Sequence, residues 1–366
     1  MPSKPAFPSH YVHTLPGVEP IAKREVRLRL PDAAVMGTLT LPRRNGIVLL
    51  RLGQQAEDDV GRLQTAEDAF AVVAYRETIA WGRQGLQEAF QAVRQARIGA
   101  TLRRPRTGGR RRSGALSFRV IARVSGPKQP YGRHDLANVV AAALRERSKG
   151  HWRRVDSNED VEIWANMAGR SFVCGARLSD ASMRHRAYQQ VHMAASLRPS
   201  LAAAMVLVSD PQASDVFLDP MCGAGTILIE RALMERHGLL LGGDIDREAI
   251  SASAMNIGRK HKPRQLFAWD AGRLPLGTST VDKLVCNLPF GRKVQVAGGL
   301  RRLYERFGVE CARVLRPGGA AVLLTSASEL LLGSLDASRL YLERRYPVNV
   351  LGYDATIHCV RRSADR

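Results

Sequence analysis

The chain has 366 residues, of which 45% are hydrophobic, so it is long enough for two or three domains and too apolar for a disordered protein. Its 55 Lys and Arg against 34 Asp and Glu give a formal net charge of +21, which favours a polyanionic partner, nucleic acid before membrane. No apolar stretch reaches the length of a membrane span, and the first residues lack a secretory signal. We therefore expect a soluble, cytoplasmic protein without membrane contact.

The positive charge is concentrated in the first half of the chain. Residues 1–195 carry 32 Lys and Arg against 17 Asp and Glu. An arginine-rich proteome is an alternative explanation for part of this excess. The five cysteines are scattered without a CxxC pair, and the nine histidines lack metal-ligand spacing, so neither a disulfide framework nor a metal site is expected.

Residues 1–65 are predicted to form a small α/β domain. A turn at Pro16-Gly17 precedes a helical segment. Two alternating segments that meet at Asn45-Gly46 predict a β-hairpin, because Asn-Gly favours the tight turns of hairpins.

Residues 66–180 are predicted to form a second α/β domain. AFAVVAYRE and SFRVIARVS predict strands, and a helix over 135–147 is expected to begin at an Asp135 N-cap. VEIWAN and SFVCGARLS, separated by residues 167–170, predict a hairpin. An amphipathic helix after the first strand has an apolar face made of Leu86, Phe90, Val93 and Ala96.

Residues 181–196 are predicted to be a linker, because apolar anchors are few and basic or polar residues are frequent. From 197 to 366, a first helix is followed by alternating apolar strands and helices. This alternation predicts a mostly parallel sheet covered by helices on both faces, with two antiparallel strands at its end.

A glycine loop follows the first strand of this last region, in VFLDPMCGAGTILIE. Gly223 and Gly225 allow close backbone approach, and the N-terminus of the next helix favours electronegative groups. The third glycine of the dinucleotide fingerprint GxGxxG is missing. Asp219, which precedes the loop, would repel a pyrophosphate but would suit an ammonium or a sulfonium group.

Two further acids, Asp244 and Asp270, are predicted at the ends of the next two strands. There, one carboxylate can accept both hydroxyls of a ribose, and the other can accept the 6-amino group of an adenine. Each acid alone is more typical of a helix cap or a surface turn. Acids at the ends of three successive strands favour a cationic nucleoside, and S-adenosylmethionine is the common cofactor of that kind.

The motifs resemble those of a known enzyme class. DPMCGAGT resembles the first motif of class I methyltransferases that modify exocyclic amines, and NLPFG resembles their fourth, (N/D)PP(Y/F/W). The resemblance implies that the Asn287 side chain and the Leu288 carbonyl accept hydrogen bonds from the target amine. It also implies that Pro289 stiffens the segment, Phe290 stacks on a base and Gly291 lets the chain turn. Leu288 departs from the usual proline, and a simple proline turn with a core Phe is the structural alternative.

The resemblance also assigns a cofactor pocket. It implies S-adenosylmethionine as the methyl donor, bound by the glycine loop, the strand ends and the preceding helix. The residues assigned to this pocket are Ser200, Asp219, Cys222, Gly223, Gly225, Thr226, Asp244, Ile245, Asp270, Ala271 and Asn287.

The order of elements over 66–180 resembles a THUMP domain, an RNA-binding module that follows a small ferredoxin-like domain in tRNA-modifying enzymes. With the catalytic motifs, the chain is similar to the THUMP-containing tRNA guanine-N2-methyltransferases that act at position 6 of the acceptor stem. This implies an α/β fold with a Rossmann-like class I methyltransferase domain over 197–366. It also implies N2-methylguanosine as the product and contacts to the tRNA acceptor stem and 3′ CCA end. No obligate protein partner is expected.

An arginine-rich segment, LRRPRTGGRRR, is predicted to bind RNA phosphates. Its alternative is a solvated loop that only strengthens non-specific attraction. In the linker, Arg184, Arg186 and His192 are further candidate RNA contacts. The arginines of the segment are Arg103, Arg104, Arg106, Arg110, Arg111 and Arg112.

Three other functions share some of these features. An rRNA guanine-N2-methyltransferase of related architecture would carry the same motifs. A DNA adenine methyltransferase should have a recognition domain after the catalytic part, and the residues there are too few for one. A non-catalytic RNA-binding protein would keep the basic half but would not need the three acids and Asn287.

Overall fold

The structure is a computed structural model, and it describes residues 7–53, 59–96, 115–127, 129–193, 196–290, 299–336, 339–350 and 352–364. The chain divides into two compact units, residues 1–183 and 184–366. The described residues of each unit contain one sheet. Within the described ranges, no helix is both long and apolar enough to cross a membrane.

The N-terminal unit contains an eight-stranded sheet. Its strands are β1 (His10–Thr14), β2 (Ala34–Leu41), β3 (Asn45–Arg51), β4 (Asp68–Arg76), β5 (Leu116–Ser125), β6 (Trp152–Arg154), β7 (Val161–Ala168) and β8 (Ser171–Arg177). Its helices are α1 (Glu19–Arg29), α2 (Arg83–Arg94) and α3 (Arg133–Arg147). The strand order is β2-β3-β1-β4-β8-β7-β5-β6, and the core between the sheet and α2 and α3 includes Phe118, Val140 and Ile163.

Strand β1 joins the two segments that the sequence predicts as separate domains. It pairs antiparallel with β3 on one side and with β4 on the other, so that His10 faces both Leu50 and Ala71. The predicted boundary after residue 65 therefore lies between strands of one continuous sheet. The sheet continues from β4 through β8 and β7 to β5.

The first hairpin forms, but its turn is not at the predicted Asn-Gly pair. The turn lies at residues 42–44, with Arg43 at a φ of 57°, and Gly46 lies inside β3. A Cβ at Gly46 would come within 2.4 Å of Glu19 and Thr14. This glycine is therefore required for close packing and not for a turn.

Two other predicted positions are wrong by a few residues. Helix α3 begins after Gly132, which is its N-cap. Asp135 is the third residue of the helix, and its carboxylate accepts the Gly132 N–H at 2.8 Å. The β7–β8 turn contains only Gly169 and Arg170, because residues 167–168 continue β7 and Gly169 takes the positive φ of 61°.

Glu162 on β7 shows how the N-terminal unit holds a buried charge. This carboxylate is 4% exposed and accepts the indole N–H of Trp164 at 2.6 Å. The guanidinium groups of Arg119 and Arg177 contact it at 2.6 and 3.2 Å. Burial by itself raises the pKa of Glu162, but these donors outweigh burial and leave the pKa below its usual value.

The C-terminal unit contains a seven-stranded sheet. Its strands are β9 (Val216–Asp219), β10 (Leu239–Asp244), β11 (Arg264–Ala268), β12 (Val281–Asn287), β13 (Leu315–Thr325), β14 (Leu340–Val350) and β15 (Tyr353–Arg362). Its helices are α4 (Pro199–Val208), α5 (Thr226–Met234), α6 (Arg247–Ile257), α7 (Leu300–Val314) and α8 (Ser328–Asp336).

The strand order of this sheet is β11-β10-β9-β12-β13-β15-β14. Strands β9 to β13 are parallel, and β15 and β14 pair antiparallel, as the sequence predicts. The central strands contain apolar runs, as is typical of a sheet covered by helices on both faces, and Leu218, Leu284 and Leu323 are fully buried. Helix α8 was not predicted, because its two turns are too short for a clear helical period.

Candidate active site

Three predicted residues lie where neighbouring parallel strands end. Asp219 is the last residue of β9, Asp244 the last of β10 and Asn287 the last of β12. Since β9 pairs with β10 on one side and with β12 on the other, these three ends are adjacent. The strand order reverses at β9, and in open α/β sheets such a point is the usual place for a ligand.

The glycine loop between β9 and α5 is tied to the end of β10. The Gly223 N–H donates to Asp244 Oδ2 at 2.9 Å. Both glycines have positive φ, 51° at Gly223 and 82° at Gly225. A Cβ at Gly225 would meet Ser253 of α6 at 2.5 Å, whereas one at Gly223 would meet nothing within 4 Å. Gly225 is therefore required for packing, and Gly223 leaves its backbone open to an approaching group.

Asp219 is a buried carboxylate with no cationic partner among the residues that the structure describes. It is 1% exposed and accepts the Met221 N–H at 3.3 Å. Burial raises the pKa of Asp219, the Met221 N–H lowers it in part, and the charge of Asp244 raises it again. The pKa therefore lies well above its usual value, and an ionised Asp219 is favoured only when a positive charge comes close.

Asp244 has a fixed carboxylate at the end of β10. Its Oδ2 accepts from Gly223, and its Oδ1 accepts the Asp246 N–H at 3.1 Å, which leaves a lone pair free on each oxygen. The adjacent Ile245 is 78% exposed. A fixed acceptor beside an exposed apolar side chain provides the two surfaces that a nucleoside needs.

Asp270 lies two residues after β11 and already has two donors. Its Oδ1 accepts the Gly272 N–H at 2.8 Å, and its Oδ2 accepts from Arg306 of α7 at 2.7 Å. Burial raises the pKa of Asp270, but these donors outweigh burial and the pKa is lowered. The carboxylate stays ionised and keeps lone pairs for a third donor.

Trp269 was not singled out from the sequence, yet it joins the end of β11 to the glycine loop. Its indole N–H donates to the Pro220 carbonyl at 3.1 Å. Gly243 makes room for the ring, since a Cβ there would lie 1.9 Å from it. The pair Gly242-Gly243 inside a leucine-rich strand was the available signal, because glycine within a strand often marks a close approach.

Asn287 begins the NLPF segment with an unsatisfied side chain. Its Oδ1 is buried and has no hydrogen-bond partner in the described parts of the chain. The Leu288 N–H donates to the Leu324 carbonyl on β13 at 3.0 Å, a bond that the usual proline could not make. No described donor bonds the Leu288 carbonyl. The segment therefore offers two acceptors, one from a side chain and one from the backbone.

The rest of the NLPF segment is anchored to α7. The Pro289 carbonyl accepts the hydroxyl of Tyr304 at 3.1 Å. Phe290 is half-buried, and Gly291 lies outside the described residues.

The linker residues that precede α4 contact α5. Glu230 of α5 is fully buried and accepts the Tyr188 hydroxyl at 2.6 Å and the Arg186 Nε at 3.3 Å. The Arg186 side chain is 15% exposed and has an intramolecular partner in Glu230, and its contact with RNA stays a prediction. Arg184 is half-buried and His192 is exposed.

Asn256 of α6 joins the same linker to the glycine loop. Its Oδ1 accepts the N–H groups of Gln190 and Val191 at 3.0 and 2.9 Å. Its Nδ2 donates to the carbonyls of Val191 and Ala224, both at 3.0 Å. Only an amide offers two acceptor and two donor positions of this kind. The sequence carries no signal for this role, because 32 positions separate Asn256 from Ala224.

The remaining predicted pocket residues are buried. Ser200 is in the first turn of α4, Thr226 begins α5, and Cys222 and Ala271 are each 6% exposed. In the described ranges, no three His, Cys, Asp or Glu residues are grouped in a way that could hold a metal ion. Outside those ranges lie the arginines of the predicted RNA segment, Arg103, Arg104, Arg106, Arg110, Arg111 and Arg112.

Comparisons with known proteins agree with this geometry. Residues 186–353 match the UPF0020 family, described as an RMKL-like methyltransferase domain. The chain is 30% identical over 264 residues to the tRNA (guanine(6)-N(2))-methyltransferase THUMP3 of Mus musculus, which covers 68% of this chain and 52% of that protein. It is 32% identical over 215 residues to the U6 snRNA (guanine-N(2))-methyltransferase THUMPD2 of Bos taurus, and the aligned part covers 58% of this chain and 41% of that protein. The chain spans about half the length, or less, of these curated relatives.

The fold of the chain recurs in a solved structure. The crystal structure of TrmN from Thermus thermophilus superposes with a TM-score of 0.74 at 25% identity, over 96% of this chain and 99% of that chain. The predicted fold class is confirmed. The resemblance drawn from the DPMCGAGT and NLPFG motifs is also confirmed.

Proposed function

We propose that this chain, whose residues 186–353 are a methyltransferase domain of the UPF0020 family, transfers a methyl group from S-adenosylmethionine to the 2-amino group of a guanosine in tRNA. The observation that carries the proposal is the Asn287 Oδ1 at the end of β12, which has no hydrogen-bond partner among the described residues. The neighbouring strand β9 ends in Asp219, a buried carboxylate without a cationic partner in the same part of the chain. The names of the relatives provide the substrate class.

The ends of β9 and β10 fit S-adenosylmethionine, which when bound supplies an electrophilic methyl group on a sulfonium. Asp219 would bind the positively charged amino-acid part, because the described chain gives this buried carboxylate no cation of its own. Asp244 would accept the ribose hydroxyls, and Ile245 would cover the adenine with its exposed side chain. Asp270 would accept the adenine amino group with its remaining lone pairs.

Asn287 and Leu288 would position the target amine. An aromatic amine is a poor nucleophile, because its lone pair is delocalised into the ring. Two acceptors on its hydrogens favour a tetrahedral nitrogen and direct the lone pair out of the ring plane, so the chain contributes positioning and electrostatics. Phe290 would stack on the extruded base. The amine proton would leave to water after it becomes acidic, without a general base from the chain.

The N-terminal unit is proposed as the RNA-binding part, in the manner of a THUMP domain. Residues 1–183 carry the larger share of the positive charge, with 30 Lys and Arg against 17 Asp and Glu. This unit would bind the acceptor stem and the 3′ CCA end and so bring position 6 to the site.

The direct test is methyl transfer in vitro. Purified protein is incubated with S-adenosylmethionine and tRNA, rRNA, U6 snRNA or adenine-containing DNA, and the nucleosides are identified by mass spectrometry. We expect N2-methylguanosine in tRNA. A tRNA with inosine at the target position is the matched control, since inosine differs from guanosine only in lacking the 2-amino group.

Each other outcome identifies a different function. N2-methylguanosine only in rRNA or in U6 snRNA would move the substrate to that RNA, and N6-methyladenine would identify a DNA enzyme. RNA binding without any methylated product would overturn the enzymatic proposal. Nucleoside mapping of tRNA from cells with and without the gene then locates the modified position.

A further inference from the structure

Tyr304 of α7 lies behind the NLPF segment. It is fully buried, and its hydroxyl oxygen is 3.1 Å from the Pro289 carbonyl oxygen and 2.6 Å from Thr325 Oγ1. Thr325 is the last residue of β13 and is also fully buried. Its Oγ1 accepts the Ala327 N–H at 2.9 Å. These four residues form one continuous chain of hydrogen bonds.

The direction of each bond in this chain follows from the groups themselves. A carbonyl oxygen can only accept, so the single hydroxyl proton of Tyr304 points to Pro289. Tyr304 must then accept from Thr325, whose oxygen remains available to the Ala327 N–H. Burial raises the pKa of Tyr304 to about 12, so its hydroxyl keeps this proton at neutral pH.

Two bonds therefore flank the Leu288 carbonyl. The bond from the Leu288 N–H to Leu324 holds the peptide plane before Leu288. The bond from Tyr304 holds the peptide plane after Pro289. Because peptide bonds are planar and the proline ring fixes φ, the intervening Leu288 carbonyl has little freedom to rotate.

We propose that Tyr304 is a positioning residue that fixes the direction of the Leu288 carbonyl, and so the second acceptor of the target amine. This inference rests on the proposed function, because it concerns the same site. Tyr304 acts through Pro289 and makes no contact with the reacting atoms. Its ring packs in the core of the C-terminal unit, and a phenylalanine would keep that packing while removing the hydroxyl.

The test is the kinetic and exchange behaviour of Tyr304→Phe. Loss of one buried hydrogen bond should lower kcat about 10-fold. The Kd values for S-adenosylmethionine and for tRNA should not change, because neither cofactor acids nor RNA contacts are touched. The Leu288 amide should exchange its hydrogen faster than in the unsubstituted protein, which reports the loosened segment without any turnover.

Three further variants separate positioning from packing. Thr325→Val removes the hydroxyl that donates to Tyr304 and should lower kcat in the same way. Thr325→Ser keeps a hydroxyl at this position, and therefore the hydrogen bonds, and should leave kcat unchanged. The double variant Tyr304→Phe/Thr325→Val should be no slower than the slower single variant, because both break one chain. Tyr346→Phe removes a tyrosine hydroxyl that contacts Arg344 on β14 and is the matched control with unchanged kcat.

The failures of the two proposals are distinguishable. Tyr304→Phe with unchanged kcat and unchanged Leu288 exchange would overturn the role of Tyr304 while leaving methyl transfer intact. A fall in kcat matched by weaker cofactor binding would also overturn it, because the effect would then lie in the pocket. If the unsubstituted protein methylates no RNA, the proposed function fails, and the exchange measurement still decides whether Tyr304 holds the segment.

Discussion

The two units each bury a carboxylate in a sheet strand, and the two carboxylates have opposite surroundings. Glu162 of the N-terminal unit receives an indole N–H and two guanidinium groups, and its pKa is lowered. Asp219 of the C-terminal unit receives one backbone N–H, and its pKa is raised. Both are almost completely buried. Burial alone therefore does not distinguish the two carboxylates. The difference is that Asp219 has no cationic partner in the described chain, which supports the proposed contact with a cationic cofactor.

Substituting each carboxylate tests directly whether the two differ in their contribution to stability. Glu162→Gln removes the carboxylate that Arg119 and Arg177 share, although Arg119 keeps Glu159 at 3.3 Å and Arg177 keeps Asp68 at 2.5 Å. It should lower the free energy of unfolding by about 2 kcal/mol, because hydrogen bonds to a buried charge are lost. This cost is below that of breaking an isolated buried ion pair, because both guanidinium groups keep a carboxylate partner. Asp219→Asn replaces a buried carboxyl group that has no cationic partner in the described chain, and it should leave stability unchanged or higher. Denaturant unfolding measures both, and equal destabilisation by the two substitutions would contradict the comparison.

Asn287, whose side-chain oxygen has no hydrogen-bond partner in the described chain, is the proposed contact for the target amine. Asn287→Ala should lower kcat about 100-fold, as the loss of one electrostatic contact to a reacting group does in other enzymes. Cofactor and RNA affinities should stay the same. Methyl-transfer kinetics and calorimetry measure the two effects. Unchanged turnover would remove Asn287 from the mechanism.

Asn166 of β7 is the matched control for this substitution. Its amide is also fully buried and without a hydrogen-bond partner in the described chain, but it lies in the N-terminal unit. Asn166→Ala should leave kcat unchanged. If it lowered kcat as strongly as Asn287→Ala does, the position at a strand end beside Asp219 would have no special meaning.

The parts of the site that could be predicted from the sequence are those encoded locally. Asp219, Gly223 and Asn287 belong to short motifs, and strand alternation placed them at one edge of a sheet. The bonds that hold them could not be predicted, because they join distant positions. Trp269 and Pro220 are 49 positions apart, and no local pattern pairs them.

The fold was predictable to a similar depth. Apolar periodicity located most of the strands and the longer helices of both units, but it did not predict β1 or β6. The sequence pattern failed where glycine can have two structural roles. Asn45-Gly46 predicts a turn, but Gly46 lies in a strand and is required for packing against Glu19. It also could not show that β1 pairs with β4, because strand pairing depends on register between separate segments.

The pH dependence of the two carboxylates should also have opposite signs. Glu162 has a folded pKa below its unfolded value, so its contribution to stability is present above the unfolded pKa and is lost as pH falls through the folded pKa. Asp219 has a raised folded pKa, so its contribution is present below the unfolded pKa and is lost as pH rises through the folded pKa. Each slope is at most about 1.4 kcal/mol per pH unit.

The affinity for a cationic ligand at Asp219 should change with pH in the opposite direction to the contribution of Asp219 to stability. Binding of S-adenosylmethionine should tighten as pH rises through the raised pKa, because the ligand needs the ionised carboxylate. Calorimetry over a series of pH values above the ordinary pKa of an aspartate measures this dependence, and Asp219→Asn should abolish it. A pH-independent affinity in the unsubstituted protein would argue against a contact between Asp219 and the cation.

Asn256→Asp has the smallest expected effect, a change in cofactor affinity that tests the hydrogen bond to the glycine loop. An aspartate keeps the acceptors for Gln190 and Val191 but cannot donate to Ala224. Loss of that donor should weaken cofactor binding about fivefold. Tyr188→Phe is the control, because it loosens the same linker and leaves the Ala224 bond in place. If both variants weaken binding equally, the linker rather than the loop is responsible.

The buried Glu230 determines where the chain can be divided into independently expressed fragments. A fragment that starts at residue 197, the predicted boundary, would retain this fully buried carboxylate but discard both Arg186 and Tyr188. It should be prone to aggregation for that reason. A fragment that starts at residue 184 retains both partners, so the dozen or so intervening residues are structurally part of the C-terminal half.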